Sequence, residues 1–158
     1  MLASHLASEL KIVFEIEIEA PPEKVWAKLA SLEGMNEWFS KKLTFEFQVG
    51  GRFKMDVSIP GDGEFTFFGE VVTIDPPHEL AFTWIEQEKG KNPWPVATLV
   101  SFKLQPSRRG TLVTLTHSGF DKLEGELASN EYVGHIEGWA RADTLQELKT
   151  AVEASGSG

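Results

Sequence analysis

The stretch NEYVGHIEGWARADTLQELKTAVE, residues 130–153, decides the fold. Its apolar residues recur in steps of three and four, the period of a helix that buries one stripe: Tyr132, Ile136, Trp139, Ala142, Leu145, Leu148 and Val152. Asn130 is a favourable N-cap residue. At about 1.5 Å per residue, such a helix would be roughly 36 Å long. We therefore predict a single long helix that crosses a small domain near the end of the chain.

Alternating apolar and polar residues dominate the chain before this helix. Residues 11–19 alternate cleanly, and further stretches with a period of two follow between residues 43 and 117. Turn residues such as Pro60 and Gly61 separate these stretches at intervals of roughly ten residues, which predicts an antiparallel meander. Residues 22–39 instead predict two short helices, with Gly34 as the break between them. A sheet of this size has to curl around one long helix, and that geometry can leave a hollow between the two.

Composition indicates a single globular domain. We expect this domain over residues 11–153, a lead-in segment over residues 1–10 and a linker-like tail over residues 154–158. A formal net charge of −9 argues against nucleic acid and anionic membrane as partners. No apolar run approaches the ~18 residues that a membrane-spanning helix needs. The sequence holds no cysteine, which excludes disulfides and thiolate chemistry and suits a reducing cytoplasm, the compartment that we expect.

Five stretches carry a resemblance to a known family: PPEKVWAKLA, VGGRFKM, GEVVTIDPPHELAFTW, GTLVTLTHSGF and GWARADTLQELKTAVE. Together with the order of elements, they resemble the START-like (SRPBCC) superfamily and, within it, the Aha-type branch, named after the activator of the heat-shock-protein-90 ATPase. The resemblance extends over about residues 12–153. It implies an α+β helix-grip fold, in which a curved antiparallel sheet of about seven strands surrounds a long C-terminal helix and two short helices follow the first strand. It also implies a cavity under the long helix, typically for an apolar small molecule.

Side chains on the inner faces are the candidate walls of this cavity. Strand parity and the helix stripe place there Phe53, Met55, Phe67, Trp84, Val100, Phe102, His117, Trp139 and Asp143. For Trp84 and Trp139, filling the core and offering a stacking surface to a ligand both remain open. The carboxylate of Asp143 is expected either at the pocket or, at the edge of the stripe, in solvent. Trp94, in the polar loop over residues 87–95, looks exposed.

His117 is the most informative polar residue, since it shares a strand face with Val113 and Leu115. One interpretation is a polar anchor or a general acid–base group in the pocket, because histidine titrates near neutral pH. The other is a buried histidine whose ring is satisfied by a backbone carbonyl or by Ser118. The sequence leaves both interpretations open.

Motifs for metals, phosphates and nucleophilic catalysis are not evident. Glu131 and His135 are four residues apart on the predicted helix, and His117 could approach them. However, there is no HExxH motif and no histidine pair at ligand spacing. No glycine-rich phosphate loop and no nucleophile elbow occurs. We therefore predict no metal site and no cofactor.

The predicted function is the binding of a hydrophobic or aromatic small molecule between the sheet and the long helix. One alternative is a co-chaperone-like module that binds a chaperone through its surface, although the sequence shows no added chaperone-binding region. Another is a cyclase- or hydrolase-type enzyme that uses His117, although no acid–base pair is evident.

Overall fold

Seven antiparallel strands form one curved sheet in the order β1-β7-β6-β5-β4-β3-β2. The computed structural model describes residues 10–156, so the predicted lead-in lies outside the described residues except for Leu10. The strands are β1 (Lys11–Ile18), β2 (Leu43–Phe45), β3 (Arg52–Ile59), β4 (Gly63–Asp75), β5 (Glu79–Glu88), β6 (Thr98–Pro106) and β7 (Thr111–Ser118). The helices are α1 (Pro22–Leu29), α2 (Leu32–Trp38), α3 (Glu126–Ala142) and α4 (Thr144–Gly156), with a 3₁₀ turn at Phe120–Lys122. The predicted α+β class and the strand number are confirmed.

Strict alternation gives the central strands one buried face. On β6 and β7, Val100 pairs with His117, Phe102 with Leu115 and Leu104 with Val113, and all six side chains are buried. Because successive side chains of a strand point to opposite faces, these pairs all lie on the same side of the sheet. That side faces the helices and forms the core.

The backbones of the two short helices after β1 approach each other closely near the point where α1 ends and α2 begins. α1 ends at Leu29, and α2 is capped by Ser31, whose Oγ accepts a hydrogen bond from the Gly34 amide at 3.0 Å. The expected break at Gly34 is therefore wrong in position, because Gly34 lies inside α2. A Cβ there would lie 2.3 Å from the carbonyl oxygen of Lys28, so only glycine fits.

The long C-terminal helix is bent at Asp143, which separates α3 from α4. Asp143 has φ 52° and ψ 43°, the left-handed conformation, which aspartate tolerates better than most residues. Its amide donates to the carbonyl oxygens of Trp139 and Ala140, at 3.1 and 3.2 Å, and so caps α3. The predicted start is also wrong, because α3 begins at Glu126 rather than next to Asn130. The helix therefore turns between Ala142 and Thr144, which both line the cleft described below.

α4 anchors the end of the chain against the core. Leu145, Leu148 and Val152 are buried, and the helix packs on β1, α1 and α2. It continues to Gly156, into the segment interpreted as a linker-like tail. Within residues 10–156, no helix is both long and apolar enough to cross a membrane.

Candidate functional site

An open cleft of about 840 Å³ lies between α3 and the sheet at strands β3 to β5, with the end of α2 at one side. Aromatic side chains supply much of its wall: Trp38, Phe39, Phe65, Phe67, Trp84 and Trp139. The rings of Phe39 and Trp139 stack nearly parallel, with centroids 6.3 Å apart, and Trp84 lies 5.3 Å from Trp139. Flat apolar surfaces of this kind suit a ligand with an aromatic or other apolar body.

The face of α3 that borders the cleft includes a row of very small residues beside Glu131, His135 and Trp139. Gly134, Gly138 and Ala142 recur at intervals of four, which places them on one side of the helix. A Cβ added at Gly134 or Gly138 would meet no heavy atom within 4 Å. The space next to Gly134 and Gly138 is therefore open, because the helix presents backbone at these positions instead of side chains.

The structure divides the predicted wall residues into two groups. Met55, Phe67, Trp84 and Trp139 line the cleft. The other predicted residues, Phe53, Val100, Phe102, His117 and Asp143, do not line this cleft. The first four side chains are at most 2% exposed, because the helices and the aromatic wall cover them. Asp143 is exposed at the helix bend, where its left-handed backbone turns the chain away.

His117 is fully buried, and its two ring nitrogens both have hydrogen-bond partners. The hydroxyl of Thr98 donates its proton to the carbonyl oxygen of Trp84 at 2.9 Å. The Thr98 hydroxyl oxygen therefore accepts a hydrogen bond from Nε2 of His117 at 2.7 Å. Trp139 Nε1 donates to Nδ1 of His117 at 3.0 Å. Burial, with a smaller effect of His135, holds the pKa of His117 well below its usual range, so the ring is neutral. No ring nitrogen of His117 is free for proton transfer in the cleft.

One end of the cleft holds a second histidine between two carboxylates. Nδ1 of His135 donates to the backbone oxygen of Glu131 at 2.9 Å, and Trp84 Nε1 donates to Nε2 at 3.2 Å. Glu86 Oε1 lies 3.8 Å from Nε2, and Glu131 Oε1 lies 3.7 Å from Nδ1. Burial lowers the pKa of His135 to about 4. At neutral pH this ring carries no charge, so these short distances are not ion pairs.

The carboxylates at this end are strongly perturbed. Burial, followed by the charges of Glu131 and Glu88, raises the pKa of Glu86 to about 7. Burial, followed by Glu88, also raises the pKa of Glu131. The side chains of Glu86 and Glu131 are 15% and 24% exposed. Charge on either carboxylate is therefore poorly hydrated, and each pKa is raised first by burial and then by neighbouring negative charge.

The same three side chains are the one group in the described residues whose donor atoms are close enough to suggest a metal site. One ligand atom each of Glu86, Glu131 and His135 lies within 4.8 Å of the others. However, the lone pair of His135 Nε2 already accepts from Trp84, and Nδ1 carries the proton given to Glu131. A metal on His135 would first have to displace the indole of Trp84. The expectation of no metal site stays a prediction.

Sequence reasoning missed Glu86 and misplaced Trp94. Glu86 has the same strand parity as Phe82 and Trp84, so the alternation of β5 already placed it on the inner face. Trp94 is only 8% exposed, because its ring packs on Phe120 and His135 with centroids 6.3 and 5.3 Å away. Its loop folds back over the site, and no periodic signal in the sequence indicates this.

Comparisons with known proteins agree with the fold. The family model described as "Activator of Hsp90 ATPase homolog 1-like protein" matches residues 19–153. Protein MLL2253 from Mesorhizobium loti is similar in structure, with 26% identity, a TM-score of 0.70, and 91% of this chain and 97% of that chain covered. The Aha1 dimer from Colwellia psychrerythraea is similar at 26% identity and a TM-score of 0.64, with 90% and 96% covered. Mll3558 from Rhizobium loti, at 24% identity and a TM-score of 0.72, with 89% and 95% covered, shares the fold. Among curated proteins, none matches the chain.

Proposed function

The chain belongs to the family of activator of Hsp90 ATPase homolog 1-like proteins, and from this premise we propose that it binds a hydrophobic or aromatic small molecule in the cleft between the sheet and α3. The observation that carries the proposal is the cleft itself. Its volume of about 840 Å³ lies within the roughly 300–1,000 Å³ that small-molecule sites occupy. The cytoplasm is the proposed compartment, which fits a chain without cysteine.

Two features of the wall support binding rather than simple packing. Trp84 and Trp139 line the cleft, and their indole N–H groups donate hydrogen bonds to His135 and His117. Their orientation is therefore fixed before a ligand arrives, which lowers the ordering cost of binding. The glycine face of α3 supplies room on the opposite side.

An acid–base enzyme that uses His117 is not favoured by this geometry. The ring is fully buried, both nitrogens are hydrogen-bonded, and its pKa is depressed by burial. A general base must reach the proton that it abstracts, and His117 lies behind Trp139 rather than at the cleft wall.

The test compares two leucine substitutions on α3. Gly138→Leu should fill part of the cleft, because a Cβ at Gly138 meets nothing within 4 Å and the longer side chain extends into the space that Gly138 lines. Ala140→Leu is the matched control, since Ala140 is exposed on the same helix but does not line the cleft. The probe is N-phenyl-1-naphthylamine, a neutral aromatic dye whose fluorescence rises in apolar surroundings. We expect saturable binding with one site in the wild type and in Ala140→Leu, and a loss of roughly tenfold or more in Gly138→Leu.

Two results would overturn the proposal: no saturable binding by the wild type, or equal affinity in all three proteins. A parallel measurement addresses the co-chaperone alternative, in which the outer surface binds a chaperone of the 90-kDa heat-shock class. Purified chaperone that binds wild type and Gly138→Leu equally, with no dye binding by either, would support that alternative instead.

A further inference from the structure

Negative charge dominates the wall of the cleft. The ionisable side chains that line it, apart from His135, are five carboxylates and two lysines: Asp56, Asp62, Glu86, Glu88, Glu131, Lys41 and Lys42. In a confined site with apolar walls, such an excess concentrates ligands of the opposite charge.

Two of these carboxylates, Glu86 and Glu131, are mostly buried and form no ion pair with a lysine or arginine of the described residues. The nearby His135 ring is neutral. Glu88 differs, because it pairs with Lys91 at 3.1 Å. Glu86 and Glu131 are mostly buried, so water compensates their charge only in part. A bound cation would therefore supply the positive charge that these two carboxylates lack.

We infer that the ligand carries a protonated amine on an aromatic or other apolar body, with the ammonium group held between Glu86 and Glu131. This inference rests on the proposed function of the cleft. A nitrogen that forms hydrogen bonds of about 2.8 Å to two oxygens can bridge a gap of up to roughly 5.6 Å. The ligand atoms of Glu86 and Glu131 lie within 4.8 Å of each other, so one ammonium group can reach both.

The aromatic wall begins next to this carboxylate pair. Glu86 and Trp84 share the inner face of β5, and the Trp84 ring lies 4.7 Å from that of Phe67 and 5.3 Å from that of Trp139. An ammonium group between the carboxylates therefore lies close to ring faces, which attract cations. The apolar body of the same molecule then extends along the rings toward Phe39. A negatively charged end followed by an aromatic wall matches an arylalkylamine, which has an ammonium group at one end and an aromatic ring at the other.

An organic cation fits this site better than a metal ion does. Zinc and related transition-metal ions bind histidine through a nitrogen with a free lone pair, and here Trp84 occupies that lone pair. An ammonium group needs only acceptor oxygens, and Glu86 and Glu131 supply them without the use of a His135 nitrogen.

The test uses three probes of nearly the same shape in calorimetric titrations at pH 8: 1-naphthylmethylamine, 1-naphthalenemethanol and 1-naphthoic acid. We expect the amine to bind roughly tenfold or more tightly than the alcohol, and the acid to bind most weakly. In Glu86→Gln the amine should lose this advantage, while the affinity for the alcohol stays within about twofold. Glu137→Gln removes a carboxylate from the exposed side of α3 and should preserve the preference for the amine.

The same titrations at pH 5.5 provide a second measurement, because a purely structural role of Glu86 would leave the preference for the amine unchanged at this pH. The titratable groups around Glu86 are Glu88 on its own strand and Glu131 and His135 on α3, and β4 presents Phe65 and Phe67 there. At this pH Glu86 is protonated, so the preference for the amine should shrink.

The outcomes separate the two proposals. If the alcohol binds and the amine binds no more tightly, the inference is wrong and the proposed function stands. If none of the three compounds binds, both are wrong. Stoichiometric binding of zinc sulfate that Glu86→Gln abolishes would assign the cation as a metal and overturn the amine.

Discussion

Exchange of Glu86 for glutamine should change how the stability of the protein depends on pH. The folded state holds the Glu86 proton up to about pH 7, whereas an unfolded chain releases it near its ordinary pKa of 4.5. The stability that the protonated carboxyl contributes is therefore complete below pH 4.5 and is lost as the pH rises to about 7. Glutamine stays neutral throughout and avoids this loss.

The magnitude follows from the two pKa values. They differ by about 2.5, and each unit corresponds to 1.36 kcal/mol, so ionised Glu86 costs the folded state roughly 3 kcal/mol. Relative to the wild type, Glu86→Gln should be unchanged near pH 4.5 and more stable by about 2–3 kcal/mol at pH 8. The lowered pKa values of His117 and His135 act in the opposite direction, because they make stability rise with pH. Their effect is the same in both proteins and cancels in the difference.

The assay is urea denaturation of both proteins at several pH values between 4.5 and 8, with the free energy of unfolding extrapolated to water. Glu137→Gln removes an exposed charge from α3 and serves as the control for net charge. Glu131→Gln should move the change to lower pH, since the charge of Glu131 is one cause of the raised pKa of Glu86. A difference between wild type and Glu86→Gln that stays constant from pH 4.5 to pH 8 would refute the reasoning.

Three further predictions concern the buried histidine, the helix bend and metals. Trp139→Phe leaves Nδ1 of His117 without its donor and should lower the free energy of unfolding by about 1–3 kcal/mol; an unchanged urea midpoint would contradict this. Asp143→Gly relieves the left-handed backbone at the bend and should raise stability by up to about 1 kcal/mol; a destabilised variant in the same melts would show that the aspartate itself is needed. One equivalent of zinc, or a chelator, should leave the melting temperature unchanged, whereas a saturable rise would indicate specific binding.

The sheet could be predicted because its signal is local. Segments such as residues 11–19 and 98–104 alternate apolar and polar residues, and this alternation fixes both the strand and the face that it buries. The helix bend has no such signal. The apolar positions Trp139, Ala142 and Leu145 keep the helical spacing across Asp143, so a continuous helix and a bent one have the same pattern. Only packing of α4 against β1, α1 and α2 distinguishes them.

The candidate site could be predicted only in part, since sequence pattern gives the face of a residue but not its depth. Met55, Phe67, Trp84 and Trp139 line the cleft, while Val100 and Phe102 point the same way but are covered by other side chains. The same parity argument applies to Glu86. However, Glu86 follows the apolar part of β5 and directly precedes the polar loop over residues 87–95, so its polar character there resembles that of the loop. Depth depends on contacts between distant segments, which no local period encodes.

The two glycines on the cleft side of α3 connect the resistance of this protein to heat with the size of the molecule that it can accept. A glycine inside a helix costs about 1 kcal/mol relative to alanine, so Gly134 and Gly138 together weaken α3 by roughly 2 kcal/mol, against a typical total of ~5–15 kcal/mol. A Cβ fits at both positions without a contact within 4 Å, so a clash with neighbouring atoms does not explain the glycines, whereas an open cleft does. Any substitution that makes α3 a better helix at these positions also narrows the cleft, and a thermostable variant obtained in this way should accept only smaller molecules.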